Sequence, residues 1–539
     1  MFSSLRDKEE LSCVLSGAAG LGIQTVEEML ARVVVDEGFH VFGTREYMSR
    51  VRGGNNSTEL RIAVRPVDAQ VDRIDILIAL SRKVRKNIRG RISKETVILG
   101  DRTELSGELE DLGAPFVHVP LAEIAKELGA ALYSNSVAAG VLMGILGLGT
   151  RGAEAHFEVR FAGKAPEVAR SNSEAFRRGY AIGSSLVDEK GLLDGRPRMA
   201  AGQSMIMKGT EAVALGAMAA GCNFVTGYPM SPATGVLSYF AAHAHEVGAV
   251  VEQVEDELSA INMAVGSSYA GGRPMATTSG GGFALMSEGL SLAGVMETPL
   301  VVHLAQRPGP ATGMATRTEQ GDLELALHSG HGEWPKAVYA PGTLAGAFAV
   351  TQEAFRTAWK YQTPAIVLTD QYFVDSFHDL PAEALVFAPA PAGPVETEAS
   401  YRRYEDSPDG RSPMGVPGFG RGIVGADSHE HDEVGHVYED FELRKRMQDK
   451  RMRKLEGMRA EALAPFLFGP EEYQCLVVCW GSTIPIFREA VGLLGRTDTA
   501  LLAFEQVWPL HPSASDRLAR ASRIVVAEGN STGQFARLL

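Results

Sequence analysis

Three acidic residues, Glu255, Asp256 and Glu257, follow the apolar stretch 249–251 and precede Leu258, Ile261, Val265 and Tyr269, which recur at helical spacing. A carboxyl group at such a helix start, turned into an apolar pocket, is pushed to hold a proton and could share it with a bound base. The same carboxylates could simply complement the positive end of the helix dipole. From spacing alone the two readings weigh equally. Two other residues suit an anion. Ser231, held between Pro229 and Pro232, could donate to a carboxylate, and Arg307, just past the apolar run 300–304, could form the fork pair with it. Arg317 is a second choice, suited to structure or to the distal end of a ligand. By residue type alone each is more often a surface side chain.

Strands and helices must bring these groups together. Phe224-Val225-Thr226 reads as a short strand feeding a Gly227-Tyr228-Pro229 turn, and 249–251, 275–278 and 300–304 read as three more, with 365–370 in the same sheet. Strands alternating with helical stretches predict an α/β fold with a parallel sheet, and such sheets bind ligands at the carboxyl ends of their strands. Every group named above lies at such an end. Upstream, Leu11 to Leu15 reads as a strand, 17–22 as a Gly-rich turn, and Val26, Met29, Leu30 and Val33 as the buried stripe of a helix. The glycines run GxxGxG, not GxGxxG, so a dinucleotide site is weakly signalled. Backbone amides at that helix start suit an anion, with Arg50, Arg52, Gly53 and Gly54 as a second half. A turn that merely lets helix and strand pack closely is as good an account.

Three motifs carry a family resemblance. GYPMSP (227–232), EDELSAINMAVGSSYAGG (255–272) and QRPGPATGMATRTEQGD (306–322) resemble the substrate loop, the thiamine-pyrimidine helix and a substrate-side loop of the alpha subunits of 2-oxoacid:ferredoxin oxidoreductases. Ser231 stands where the family's loop usually carries threonine, and the hydroxyl survives. The resemblance implies that Glu257 hydrogen-bonds the thiamine pyrimidine, with Tyr228 and Pro229 beside it. It also implies that Ser231 and Arg307, with Arg317 as the weaker choice, bind the substrate.

Residues 1–190 are similar to the family's gamma domain, which implies a role in coenzyme A binding, with Gly20, Gly22, Arg52 and Gly53 on that side. This fusion resembles the 2-oxoglutarate-type members. A linker is expected at 191–204, a thiamine pyrimidine-binding domain at 205–390, an irregular and helical connector at 391–468 and a transketolase C-terminal-like domain at 469–539. The fold expected is thus several Rossmann-like, thiamin-diphosphate-binding-fold units with parallel sheets, plus that last domain.

The sequence contains no GDG followed by Asn about 25 residues on, and its four cysteines, at 13, 222, 475 and 479, do not form a cluster or zinc knuckle. The resemblance therefore implies a beta subunit supplying the Mg2+ and diphosphate site and a 4Fe–4S cluster, ferredoxin as electron acceptor, and a dimer of alpha–beta heterodimers. Pyruvate or another 2-oxoacid is the alternative substrate. A noncatalytic, nucleotide-binding regulatory subunit is the rival from another class.

Composition bounds the rest. At 539 residues about three domains are expected. A net charge of −14 argues against nucleic acid, and the basic run 82–86 reads as a solvated face. The longest apolar run, 137–148, contains three glycines and is too short to span a bilayer. With a polar N-terminus and four thiols read as buried, the chain is expected in the cytoplasm. The stretch 428–436, with three histidines among acids, looks like a metal cluster, but no metal is expected. The charged helix 439–463 reads as a solvated or interface helix.

Overall fold

The chain is described by a computed structural model covering residues 2–18, 23–48, 54–81, 84–105, 112–187, 191–193, 195–196, 199 and 204–539. It forms two compact units: Met1–Met207 with Ser376–Ala382, and Lys208–Asp375 with Glu383–Leu539.

The first unit is built on an eight-stranded sheet. In spatial order its strands are Phe116–His118, Val97–Gly100, Ile76–Ala79, Glu10–Ala18, Asn55–Ala63, His40–Glu46, Phe377–Pro381 and Ser204–Lys208. The first four run parallel and Asn55–Ala63 turns antiparallel, so Leu15 lies between Ile78 and Thr58. Glu10–Ala18 is buried over seven consecutive residues, as a mostly apolar central strand must be. The helix Ile23–Asp36 lays Val26, Met29, Leu30 and Val33 into this core.

The Gly-broken apolar run becomes the helix Ser134–Leu146, buried on nearly every side. Its glycines serve packing. A Cβ at Gly140 would stand 2.1 Å from the carbonyl oxygen of Phe176, and one at Gly179 on the facing helix Pro166–Leu186 would stand 2.0 Å from that of Val137. Only glycine lets the two backbones approach this closely. Among the described residues no helix is long and apolar enough to cross a membrane.

Two features of this unit depart from a chain of contiguous segments. Leu192 and Leu193, expected in a linker, are 2% and 1% exposed, and their amides donate to the carbonyls of Ile145 and Leu146. The strand Phe377–Pro381 returns to pair antiparallel with His40–Glu46. It is held by Asp379, which contacts His40 Nδ1 at 2.7 Å and accepts from the Val41 amide at 2.8 Å.

The second unit carries a seven-stranded sheet in the order Gln506–Trp508, Ala337–Tyr339, Pro364–Asp370, Leu300–Gln306, Pro274–Thr278, Phe224–Gly227 and Val250–Gln253. All neighbours are parallel except Gln506–Trp508 on Ala337–Tyr339. From Phe224–Gly227 the chain crosses outward to Val250–Gln253, then back past its start to Pro274–Thr278. That reversal opens a crevice at the carboxyl ends of Phe224–Gly227 and Pro274–Thr278. His303, in the fully buried strand Leu300–Gln306, bridges Thr277 Oγ1 and Thr369 Oγ1 at 2.9 Å each. Burial pushes its pKa down to about 3, keeping it neutral.

A four-stranded sheet, Phe466–Phe468, Thr499–Phe504, Cys475–Trp480 and Arg523–Ala527, completes this unit. Cys13, Cys222 and Cys479 are buried thiols, but Cys475 is only half-buried, against expectation.

The charged helix, Phe441–Ala460, is not simply solvated. Lys450, Arg451 and Lys454 are almost wholly buried. Lys450 Nζ contacts both carboxylate oxygens of Glu297, at 2.7 and 2.9 Å, and Lys454 also pairs with that carboxylate. These cations hold the Glu297 pKa well below the ordinary glutamate range despite burial. In the His-rich stretch, Glu430 pairs with Arg444 and Arg451, and the buried His431 lies 3.9 Å, ring to ring, from Tyr404. Among the described residues no group of three His, Cys, Asp or Glu side chains is arranged to hold a metal ion.

Candidate functional site

The crevice collects five of the residues singled out by sequence. The strand Phe224–Gly227 ends in the loop bearing Tyr228, Pro229 and Ser231, all half-buried, and Leu300–Gln306 delivers Arg307. Arg307 Nη1 donates to the carbonyl oxygen of Ser231 at 2.7 Å, joining the two loops. The Ser231 hydroxyl has no hydrogen-bond partner among the described residues.

Glu257 opens the helix Glu257–Tyr269, capped by Asp256, whose carboxylate accepts from the Leu258 amide at 2.9 Å. The helix buries Glu257, Ala260, Ile261, Ala264, Val265 and Ser268, whereas Leu258 and Tyr269 of the expected stripe are 45% and 36% exposed. The cap is Asp256, and Glu257, in the first turn, carries the buried carboxyl. Glu257 is 2% exposed and receives a long hydrogen bond, 3.5 Å, from Thr278 Oγ1 at the end of the adjoining strand.

Gly282 lies over this carboxyl. A Cβ there would stand 2.3 Å from Glu257 Oε1 and 2.1 Å from Thr278 Oγ1. Burial raises the Glu257 pKa above the ordinary glutamate range; its own amide opposes the rise, and Asp256 and Glu255 add to it. Such a carboxyl can hold a proton and share it with a ring nitrogen.

Sequence reasoning missed Asp322, although it closes the quoted 306–322 loop. Its amide donates to Gln306 Oε1 at 2.9 Å, and its Oδ2 is buried without a hydrogen-bond partner. Burial, with Glu319 nearby, pushes its pKa up to about 6, while Arg307 pulls it down. Asp322 and Glu257 in turn support the charge of Arg307 against burial, which lowers its pKa. The signal available was the Gly-rich run SGGG at 279–282, which lets a backbone close over acidic side chains.

Gln320 pins the same loop, donating to the Trp480 carbonyl at 2.9 Å and accepting from the Gly529 amide at 2.8 Å. Arg317 turns onto its own loop, donating to the carbonyl and hydroxyl of Thr316 at 2.5 and 3.4 Å. Gly20, Gly22, Arg50, Arg52 and Gly53 lie outside the described residues.

Comparison with known proteins gives this geometry its context. Residues 215–450 match the family model described as "Pyruvate flavodoxin/ferredoxin oxidoreductase, thiamine diP-bdg", and residues 12–182 match "Pyruvate ferredoxin/flavodoxin oxidoreductase". A parallel sheet with a buried carboxyl at its reversal, matching a thiamine diphosphate-binding model, defines the class as a thiamine diphosphate-dependent oxidoreductase. The chain is 30% identical to the 2-oxoacid:ferredoxin oxidoreductase subunit alpha of a Sulfolobus species, over 98% of this chain and 92% of that one. It is 27% identical to a 2-oxoglutarate oxidoreductase subunit KorA of Mycobacterium tuberculosis, over 100% and 88%. It superimposes with a TM-score of 0.91 and 29% identity on the 2-oxoglutarate:ferredoxin oxidoreductase of Magnetococcus marinus, solved with 2-oxoglutarate, coenzyme A and succinyl-CoA bound, covering 98% and 94% of the two chains. The chain belongs to the alpha subunits of the 2-oxoacid:ferredoxin oxidoreductases.

Proposed function

We propose that this alpha subunit acts in the coenzyme A-dependent oxidative decarboxylation of 2-oxoglutarate to succinyl-coenzyme A. In this reading a beta subunit holds the diphosphate, Mg2+ and a 4Fe–4S cluster, electrons pass singly to ferredoxin, and the assembly is a dimer of alpha–beta heterodimers. The first 190 residues serve as the gamma-type, coenzyme A-related domain. The substrate assignment is supported by the names of the Mycobacterium relative and the Magnetococcus structure.

The residues present fit the pyrimidine half of thiamine diphosphate. Glu257 is a buried carboxyl whose pKa is raised, the Gly282 backbone packs directly against it, and the hydroxyl of Ser279, next in sequence to Thr278, is buried without a protein partner. Bound there, the cofactor supplies the carbon that adds to the keto group and accepts the electron pair released with carbon dioxide. Glu257 holds a proton at N1′ of the aminopyrimidine and so favours the tautomer whose 4′-nitrogen is a base. Tyr228 and Pro229 bound the pyrimidine side. Arg307, oriented by the Ser231 carbonyl, pairs with the substrate carboxylate, while the Ser231 hydroxyl donates to it. Arg317, which donates to Thr316 on its own loop, is the weaker choice, for the distal carboxylate.

The burial of Glu257 at the crevice is the observation that carries this reading. Its test is substrate-dependent dye reduction by the chain reconstituted with its beta subunit, across 2-oxoglutarate, pyruvate, and branched-chain and aryl 2-oxoacids. The expected result is a strong preference for 2-oxoglutarate. A preference for pyruvate, the acid named in both family models, would transfer the mechanism to that substrate.

A further inference from the structure

Arg307 carries one charge with several claims on it. Asp322 and Glu257 both act on its guanidinium, and the proposed function adds a substrate carboxylate. Carboxylates crowded beside a single cation in a closed space do not all stay ionised.

Asp322 is held where this competition is felt. Its amide bonds to Gln306 Oε1, and Gln306 Nε2 donates to the Thr369 carbonyl at 3.1 Å, so the end of the loop is fixed to the residue preceding Arg307. Gly280 closes over the carboxyl: a Cβ there would stand 2.4 Å from Asp322 Oδ2. Asp322 Oδ2 and Arg307 Nε are both buried polar atoms without a hydrogen-bond partner. An ionised oxygen so placed depends on a nearby positive charge, and it becomes costly once that charge is engaged elsewhere.

We propose that Asp322 is a positioning residue that keeps the charge around Arg307 constant, serving as counter-ion in the free site and taking up one proton when a 2-oxoacid carboxylate pairs with the guanidinium. This rests on the reading of Arg307 as the partner of that carboxylate. The proton comes from solvent and forms an O–H bond on Asp322. It returns to solvent after the carboxylate has left as carbon dioxide. The charged groups that act on Asp322 through space are Arg307, from the end of strand Leu300–Gln306, and Glu319, on its own loop; Glu257, at its helix start, acts on Arg307. With its pKa near 6, Asp322 is mostly ionised in the free site at neutral pH and within reach of protonation when the local cation is neutralised.

The test uses the assembled alpha–beta complex and the unreactive probe 2-hydroxyglutarate, titrated calorimetrically in buffers of different ionisation enthalpy. Wild type is expected to take up close to one proton at about pH 7.5 and almost none at about pH 5, where Asp322 is already protonated. Asp322→Asn should abolish the uptake. It should also remove the wild-type rise in 2-oxoglutarate KM above about pH 6, which approaches tenfold per pH unit, while Glu257→Gln keeps the uptake. Binding by wild type without proton uptake would overturn the inference even if Asp322→Asn fails to fold, and so would the same uptake in Asp322→Asn. Failure of wild type to bind the probe, with 2-oxoglutarate also inactive, would overturn the substrate reading and this inference with it.

Discussion

Gly282 stands so close over Glu257 that a single added carbon would fall 2.3 Å from the carboxylate oxygen. The helix Gly280–Leu285 therefore rests on the acid it covers, and the missing side chain keeps that acid in place. The start of the helix Glu257–Tyr269 and the end of the strand that follows it, Pro274–Thr278, meet at this point.

Gly282→Ala should accordingly act on the site as well as on the fold. Overpacking of this kind costs about 1–3 kcal/mol, and the cheapest relief is rotation of the Glu257 carboxyl away from Thr278. A lower urea midpoint together with weaker thiamine diphosphate binding by the assembled complex is the expected pair of results. Wild-type values for both would mean that the helix is free to lift.

Arg307→Ala removes a half-buried cation that links two loops through the Ser231 carbonyl. The KM for 2-oxoglutarate should rise by about 100-fold, the ~3 kcal/mol of a charge-assisted pair, and the KM for coenzyme A should change little. An equal effect on both would argue against a contact with the 2-oxoacid.

Glu297→Gln strips the carboxylate from two buried lysines, Lys450 and Lys454. Breaking such a pair on one side costs about 3–5 kcal/mol, measurable by urea denaturation. The pH dependence has a definite sign. Because the folded pKa of Glu297 lies below its ordinary value of about 4.5, its contribution is fully present above that value and is lost as pH falls below it. Wild type should therefore converge on Glu297→Gln in acid. A constant gap between the two from neutral to acid pH would mean that the carboxylate is not what holds the helix.

Five of the seven strands of the second unit's sheet are legible in the sequence as short apolar runs ended by a turn, whereas Ala337–Tyr339 and Gln506–Trp508, three residues each, are too short to carry a pattern. The position of Glu257 behind one of them followed directly. Its burial was not legible, since it depends on Gly282 and on Asp256 taking the capping role. The helix Phe441–Ala460 misled for a related reason: its lysines look solvated until Glu297, 153 residues away from Lys450, is placed beside them. The strand Phe377–Pro381 pairs with residues more than 330 positions upstream, a distance over which local pattern carries no information. Asp322 is not legible as a site residue in the sequence, because a lone aspartate at a loop end gains meaning only from the glycine packed over it.

The central claim is that Glu257 activates thiamine by holding a proton at N1′. Its most direct test is exchange of the C2 proton of thiamine diphosphate bound to the assembled complex, followed by NMR after acid quench. Glu257→Gln should bind the cofactor yet exchange that proton at least about 100-fold more slowly than wild type, the scale of one lost acid–base group. Exchange at the wild-type rate in Glu257→Gln would contradict the account.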